Sequence, residues 1–176
     1  MSLRDLLGRF AGSGRLEAIL LRPSREQPAV AVERAEAVAG RGLLGDRSAR
    51  AGRGGGRRQI TLMQAEHLPL IAAWTGRASL DPAILRRNLV IGGINLIGGR
   101  SPLRDLCVQL QIGETVVLEL TGPCDPCSKM ERELGHGAYN AMRGHGGMTA
   151  RVLVGGPLAV GDPVQITTTD TFHAQA

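Results

Sequence analysis

The chain has 176 residues, 43% hydrophobic and 21% charged, with a formal net charge of +5. That suits one ordinary domain with a real core, excludes a disordered chain, and permits a polyanionic partner without requiring one. No apolar run approaches the ~20 residues of a membrane span, and three cysteines exclude both a fully paired disulfide framework and an iron–sulfur cluster held by four cysteines of this chain.

In chain order, Leu3, Leu6, Leu7 and Phe10 at helical spacing predict a short amphipathic helix over Ser2 to Phe10. The first residues, MSLRDLLGRF, hold no apolar signal-peptide core, which predicts a cytoplasmic protein. Arg15 to Leu21 reads as a strand closed by Pro23, and a second strand is expected over Ala29 to Val38. Gly40 to Gln59 is rich in arginine and glycine with one acid, Asp46, and reads as a loop. Ile60 to Leu62 suggests a strand end, Gln64 to Thr75 a helix, and Arg86 to Ile91 a strand followed by turn glycines. Leu106 to Ile112 and Thr115 to Leu120 are stronger strands around a Gly113-Glu114 turn. A short helix follows from Ser128 to Leu134. Ala150 to Val154, Leu158 to Val160 and Pro163 to Thr167 complete the strands, and the tail Thr168 to Ala176 reads as frayed. Many short strands, glycine turns and few helices predict a mainly β fold, a barrel or sandwich with short peripheral helices. Nothing splits the chain, so residues 1–176 are expected to form a single domain with its core over about 14–167.

Only Phe10, Trp74, Tyr139 and Phe172 are aromatic, so the core must be aliphatic. Lys129 is the only lysine among 21 basic residues. Any Schiff-base chemistry would need Lys129, and any anion would be held by guanidinium forks, which suit bidentate phosphate contacts. The Gly40–Gln59 loop resembles an RNA-binding arginine–glycine segment but lacks the aromatics such binding stacks on, so no nucleic-acid partner is expected.

The densest chemistry lies in Thr121-Gly122-Pro123-Cys124-Asp125-Pro126-Cys127-Ser128-Lys129, between a strand and a helix. Unpaired N–H groups at the helix start, with Lys129 and Arg132, favour a thiolate. Three chemistries fit: a Cys-x-x-Cys redox pair, a structural zinc with Cys124, Cys127, His136 and His145, or a single functional thiolate beside an anion pocket.

Six short motifs follow one another: Gly42-Leu43-Leu44-Gly45-Asp46-Arg47; Arg58-Gln59-Ile60-Thr61-Leu62 with Glu66; Arg86-Arg87-Asn88-Leu89-Val90 with Gly93-Ile94-Asn95-Leu96; Pro126-Cys127-Ser128-Lys129; Gly146-Gly147 with Ala150-Arg151-Val152; and Gly155-Gly156 with Val160-Gly161-Asp162. In this order they resemble the MOSC domain, the family named for the C-terminal domain of molybdenum cofactor sulfurase. The resemblance runs from about Gly14 to Thr167 and implies a β-barrel that binds the molybdenum–pterin cofactor. Cys127 takes the place of the cysteine that ligates molybdenum or carries persulfide sulfur. Ser48 departs from the pattern, since members often have histidine after Gly-Asp-Arg, and Cys124 is not part of it.

What the resemblance implies can be set on residues. Arg47, Arg58, Arg86 and Arg87 are candidates for the cofactor phosphate. Asp46, Asn88, Lys129, Gly147 and Arg151 are further candidate cofactor-binding positions, and Cys127 is the candidate catalytic residue and metal ligand. Two activities are implied on a small-molecule substrate or a sulfur acceptor. One is reduction of N-hydroxylated compounds with electrons from a separate donor protein, since the chain lacks a four-cysteine cluster and a haem motif. The other is sulfur carriage by a Cys127 persulfide, filled by a separate sulfur-donor protein. One lysine and no recognisable pyridoxal-phosphate domain argue against an internal desulfurase, so pyridoxal phosphate is not expected on this chain. A non-enzymatic cofactor-binding module is the competing class.

Overall fold

The computed structural model describes residues 1–50 and 56–170. Seven strands form a closed barrel: β1 (Gly14–Leu21), β5 (Ile60–Gln64), β6 (Leu89–Gly92), β7 (Leu106–Ile112), β8 (Val116–Pro123), β9 (Met148–Val154) and β11 (Pro163–Asp170). Around the ring the order is β1, β6, β5, β9, β8, β7, β11, and Gly14 opposite Val164 closes it. An odd ring cannot be antiparallel throughout, because strand directions must alternate back to their start. The mismatch falls between β5 and β6, which are parallel. A parallel pair needs a long crossover, and residues 65–88 supply it, with α2 (His67–Trp74) and α3 (Pro82–Leu85).

The barrel interior is aliphatic, as the aromatic poverty requires. Leu106, Val108, Leu110 and Ile112 alternate inward along β7, and Leu16, Leu62, Ile91, Leu118, Val152 and Val164 meet them. A second core covers the outside of β1, β5 and β6. There Leu20, Met63 and Val90 pack under α2, α3, α4 (Ser128–Leu134) and α5 (Ala138–Met142), through Ile71, Leu85, Met130, Leu134 and Met142. This explains why β5 is buried on both faces, and it anchors α4 just beyond the cysteine motif.

The remaining strands depart from the expected pattern. The strand expected over Ala29 to Val38 is two: β2 (Val30–Val32) extends the barrel sheet along β1, and β3 (Arg34–Val38) joins β4 (Gly42–Leu43) and β10 (Gly156–Ala159) in a small separate sheet. The arginine–glycine loop therefore holds β4 and a 3-10 turn at Arg47–Ala49, and its residues 51–55 lie outside the described ones. The helix expected from Gln64 starts at His67, because Gln64 ends β5 and its side chain accepts from the Leu96 N–H at 3.0 Å. Thr168 to Asp170 are not frayed: they pair with Val108, Cys107 and Leu106, while residues 171–176 lie outside the described ones. The N-terminal helix α1 (Leu3–Leu7) buries no residue. Ser2 and Asp5 cap it reciprocally, and Arg4 ties it to Asp105 and Asp170. No helix among the described residues is long and apolar enough to cross a membrane.

Candidate functional site

The segments leaving β1 and β8 and those entering β5, β6 and β9 meet beside the cysteine motif. Cys127 immediately precedes α4, and its thiol-bearing side chain is exposed. Its carbonyl accepts from the Met130 N–H at 2.8 Å. Cys124 is buried, and its Sγ accepts from Arg58 Nη2 at 3.2 Å.

Arg87 is the brace of this motif. Nε donates to Gly146 O at 2.8 Å, Nη1 to Leu85 O at 2.8 Å and Nη2 to Cys124 O at 3.1 Å. One buried guanidinium thus ties α3, the loop before β9 and the cysteine loop. Burial lowers the Arg87 pKa from its ordinary value, and the Cys124 and Cys127 sulfurs act the other way. Arg87 was a candidate phosphate ligand, but the structure gives its nitrogens to protein carbonyls.

Asp46 and Asn88 form a second buried clamp. Asp46 Oδ2 accepts from the Arg22 N–H (2.8 Å), Arg22 Nε (2.9 Å) and Asn88 Nδ2 (2.8 Å). Its Oδ1 accepts from Arg22 Nη2 (2.8 Å), the Ser48 N–H (2.9 Å) and Ser48 Oγ (2.6 Å). Burial by itself would raise the Asp46 carboxyl, but the Arg22 fork and Ser48 outweigh it and hold it well below the usual carboxylate range. Asn88 is fully buried; it also donates to Leu20 O and accepts from the backbone and hydroxyl of Thr61. Its hydrogen-bonding capacity is engaged within the protein, so it positions β1, β5 and β6 rather than offering a free group. Ser48, the departure noted above, bridges Asp46 and Gln59 O (2.9 Å). Ser48→Ala is expected to cost about 1 kcal/mol in urea unfolding, because it removes the one hydroxyl proton shared between Asp46 Oδ1 and Gln59 O.

Arg86 sits in the left-handed region (φ 56) at the end of α3 and donates to Gln27 O and Ser24 O at 2.6 and 2.8 Å. Arg47 is half-buried. Burial lowers its pKa, and repulsion from Arg22, Arg86 and Arg25 adds to the shift, with Asp46 opposing it. Lys129 reaches Arg25 O at 3.5 Å. Arg22, Arg25, Arg47 and Arg86 are thus close enough to act on one another, Lys129 reaches the same stretch of chain, and the buried acid among them, Asp46, is already committed to Arg22.

Arg151 lies elsewhere. It points out of the barrel wall on β9 and pairs at 2.9 Å with Glu119, its register partner on β8. Gly147 has φ +90, and a Cβ there would collide with Leu62 O. Its backbone is pressed against β5, so the glycine is required by packing. Gly147→Ala is expected to destabilise the protein by ~2 kcal/mol or more in thermal or urea unfolding.

The zinc set is not assembled. His145 stacks edge-on against His67 and Trp74, with ring centroids at 4.8 and 5.0 Å, and His136 is exposed near Glu131. Among the described residues no group of three or more His, Cys, Asp and Glu could hold a metal ion. The Cys-x-x-Cys segment joins two antiparallel strands by way of α4 and α5, so it lacks the βαβ setting of a thioredoxin-like pair. Arg22 was not singled out by sequence reasoning; its one available signal was its place directly after the β1 run.

A model of the MOSC domain matches residues 49–165. This chain belongs to the MOSC domain family. Solved structures agree with the fold. YuaD from Bacillus subtilis is 18% identical with a TM-score of 0.71, covering 92% of this chain and 100% of that one. YiiM from Geobacillus stearothermophilus is also 18% identical, with a TM-score of 0.65 over 88% of this MOSC chain and 75% of its own. YiiM from Escherichia coli, again 18% identical, gives 0.63 over 87% and 69%. No curated protein matches the sequence.

Proposed function

We propose that this MOSC protein binds the molybdenum cofactor and reduces N-hydroxylated compounds with electrons from a separate protein. The observation that carries this reading is the exposed Cys127 side chain at the start of α4, together with a cluster of arginines, Arg22, Arg25, Arg47 and Arg86, in which the buried carboxylate, Asp46, is already committed to Arg22. The donor set fits the group. A single exposed sulfur suits a soft metal brought in by a pterin better than a bare ion, which would need more protein ligands. Guanidiniums suit its phosphate.

When bound, the cofactor supplies two-electron oxygen-atom chemistry. Cys127 holds the metal through its sulfur. Arg47, Arg58 and Lys129 meet the phosphate, and Arg86 holds the 24–27 loop that borders them. Arg87, Asp46, Asn88 and Gly147 act one layer down as positioning residues. Arg87 sets the height of the cysteine loop, and the Asp46 clamp fixes the segment that carries Arg47.

Protein purified from a cofactor-competent host should reduce an N-hydroxylated base with a chemical reductant. No turnover by molybdenum-loaded protein would defeat the reductase reading. Sulfur carriage draws on the same exposed thiol, and it predicts instead a gain of one sulfur atom on Cys127, read by mass spectrometry after incubation with a cysteine desulfurase and L-cysteine, the desulfurase persulfide passing its outer sulfur to the Cys127 thiol and returning to the thiol form.

A further inference from the structure

A second concave surface lies on the flank of the barrel, between segment 99–104 and strands β7 and β8, and encloses about 410 Å³. Arg57, Arg100 and Arg104 line it, and all three are exposed. Among the described residues none of these guanidiniums donates a hydrogen bond or joins an ion pair. The one carboxylate in the groove, Glu119, is held by Arg151. Asp105, next to Arg104, is held by Arg4. Asp125 borders a smaller adjoining pocket with Arg100 and forms no ion pair there among the described residues.

Three like charges facing one concavity repel each other, and an anion with several acceptor oxygens relieves that repulsion. The hydroxyls at hand are already used: Thr121 donates to Arg57 O at 2.7 Å and Ser101 to Leu103 O at 3.0 Å. The free donors are therefore guanidiniums, which select an acceptor-only group. The groove is in the size range of small-molecule pockets and larger than one phosphate needs. Its floor is apolar, with Leu120 and Met148. No aromatic side chain lines it, so single-stranded nucleic acid has no stacking platform.

We infer that this groove binds a diphosphate-bearing small molecule, gripped through its phosphates by Arg57, Arg100 and Arg104. The inference does not rest on the cofactor reading, since none of these three arginines is among those assigned to the cofactor phosphate. The test is calorimetric titration of the purified protein with inorganic diphosphate and with ADP, in buffer of fixed salt. Both should bind, with ADP tighter if the apolar floor takes the organic body. R100Q/R104Q should weaken diphosphate binding by about ten-fold or more, with an unchanged circular dichroism spectrum. The charge-matched remote pair R34Q/R41Q should not weaken it. Absence of binding, or equal affinity in R100Q/R104Q, overturns the inference. Loss in Arg47→Gln with full binding in R100Q/R104Q also overturns it, by moving the anion to the Arg47 cluster. So does single-stranded RNA binding where diphosphate does not.

Discussion

Cys127→Ala is expected to abolish N-hydroxyl reduction by the cofactor-loaded protein, while Cys124→Ala retains it. The argument is exposure and partnership. Cys127 presents an exposed side chain, whereas Cys124 is buried and its sulfur already accepts from Arg58 at 3.2 Å. Loss of a residue that only orients a metal ligand typically costs 10–100-fold, and loss of the ligand itself should exceed about 100-fold. Steady-state turnover with a chemical reductant reads this directly. Equal loss in both variants would point back to a functional cysteine pair. Cys127→Ala should leave unfolding stability nearly unchanged, because an exposed side chain contributes little to the core.

Asp46→Ala is expected to be the most destabilising of the substitutions at the site. It leaves Arg22, a side chain only 10% exposed, without its carboxylate. Breaking a buried pair from one side costs about 3–5 kcal/mol, and for a chain of this size that lowers Tm by roughly 10 °C. Replacing both partners with apolar residues should recover much of the loss, since the cost lies mainly in the stranded charge. The clamp also sets an acid limit. The folded-state pKa of Asp46 lies below its unfolded value. Its stabilisation is therefore fully present above the unfolded carboxylate pKa of about 3.9 and is lost as pH falls from there through the folded value. Urea unfolding of wild type and Asp46→Asn should thus differ at pH 7 and converge in acid.

The barrel strands were legible where alternation is strong. Leu106 to Ile112 shows it directly, since one face of β7 fills the barrel. β5 was less legible, because it is buried on both faces and loses the alternating signal. Helices α3 and α5, of four and five residues, are too short to show a helical period. The motif carrying Cys127 could be located from sequence, and so could most of the polar residues around it. Their division of labour could not. Arg87 bonds to Gly146 across 59 residues and Asp46 to Asn88 across 42. In a chain with one lysine among 21 basic residues, nothing local separates a bracing arginine from one of the Arg47 cluster or from Arg151, paired on the barrel wall. Arg22 shows the same limit, because its role is defined only by the carboxylate that folding brings to it.

The most direct test of the central claim is metal and pterin analysis of the protein purified from a cofactor-competent host, wild type beside Cys127→Ala. The account predicts molybdenum and pterin in near-equal amounts on the wild-type chain and a loss of molybdenum from the variant. Wild-type protein that carries zinc and no molybdenum, or a variant that retains molybdenum at the wild-type level, would contradict it.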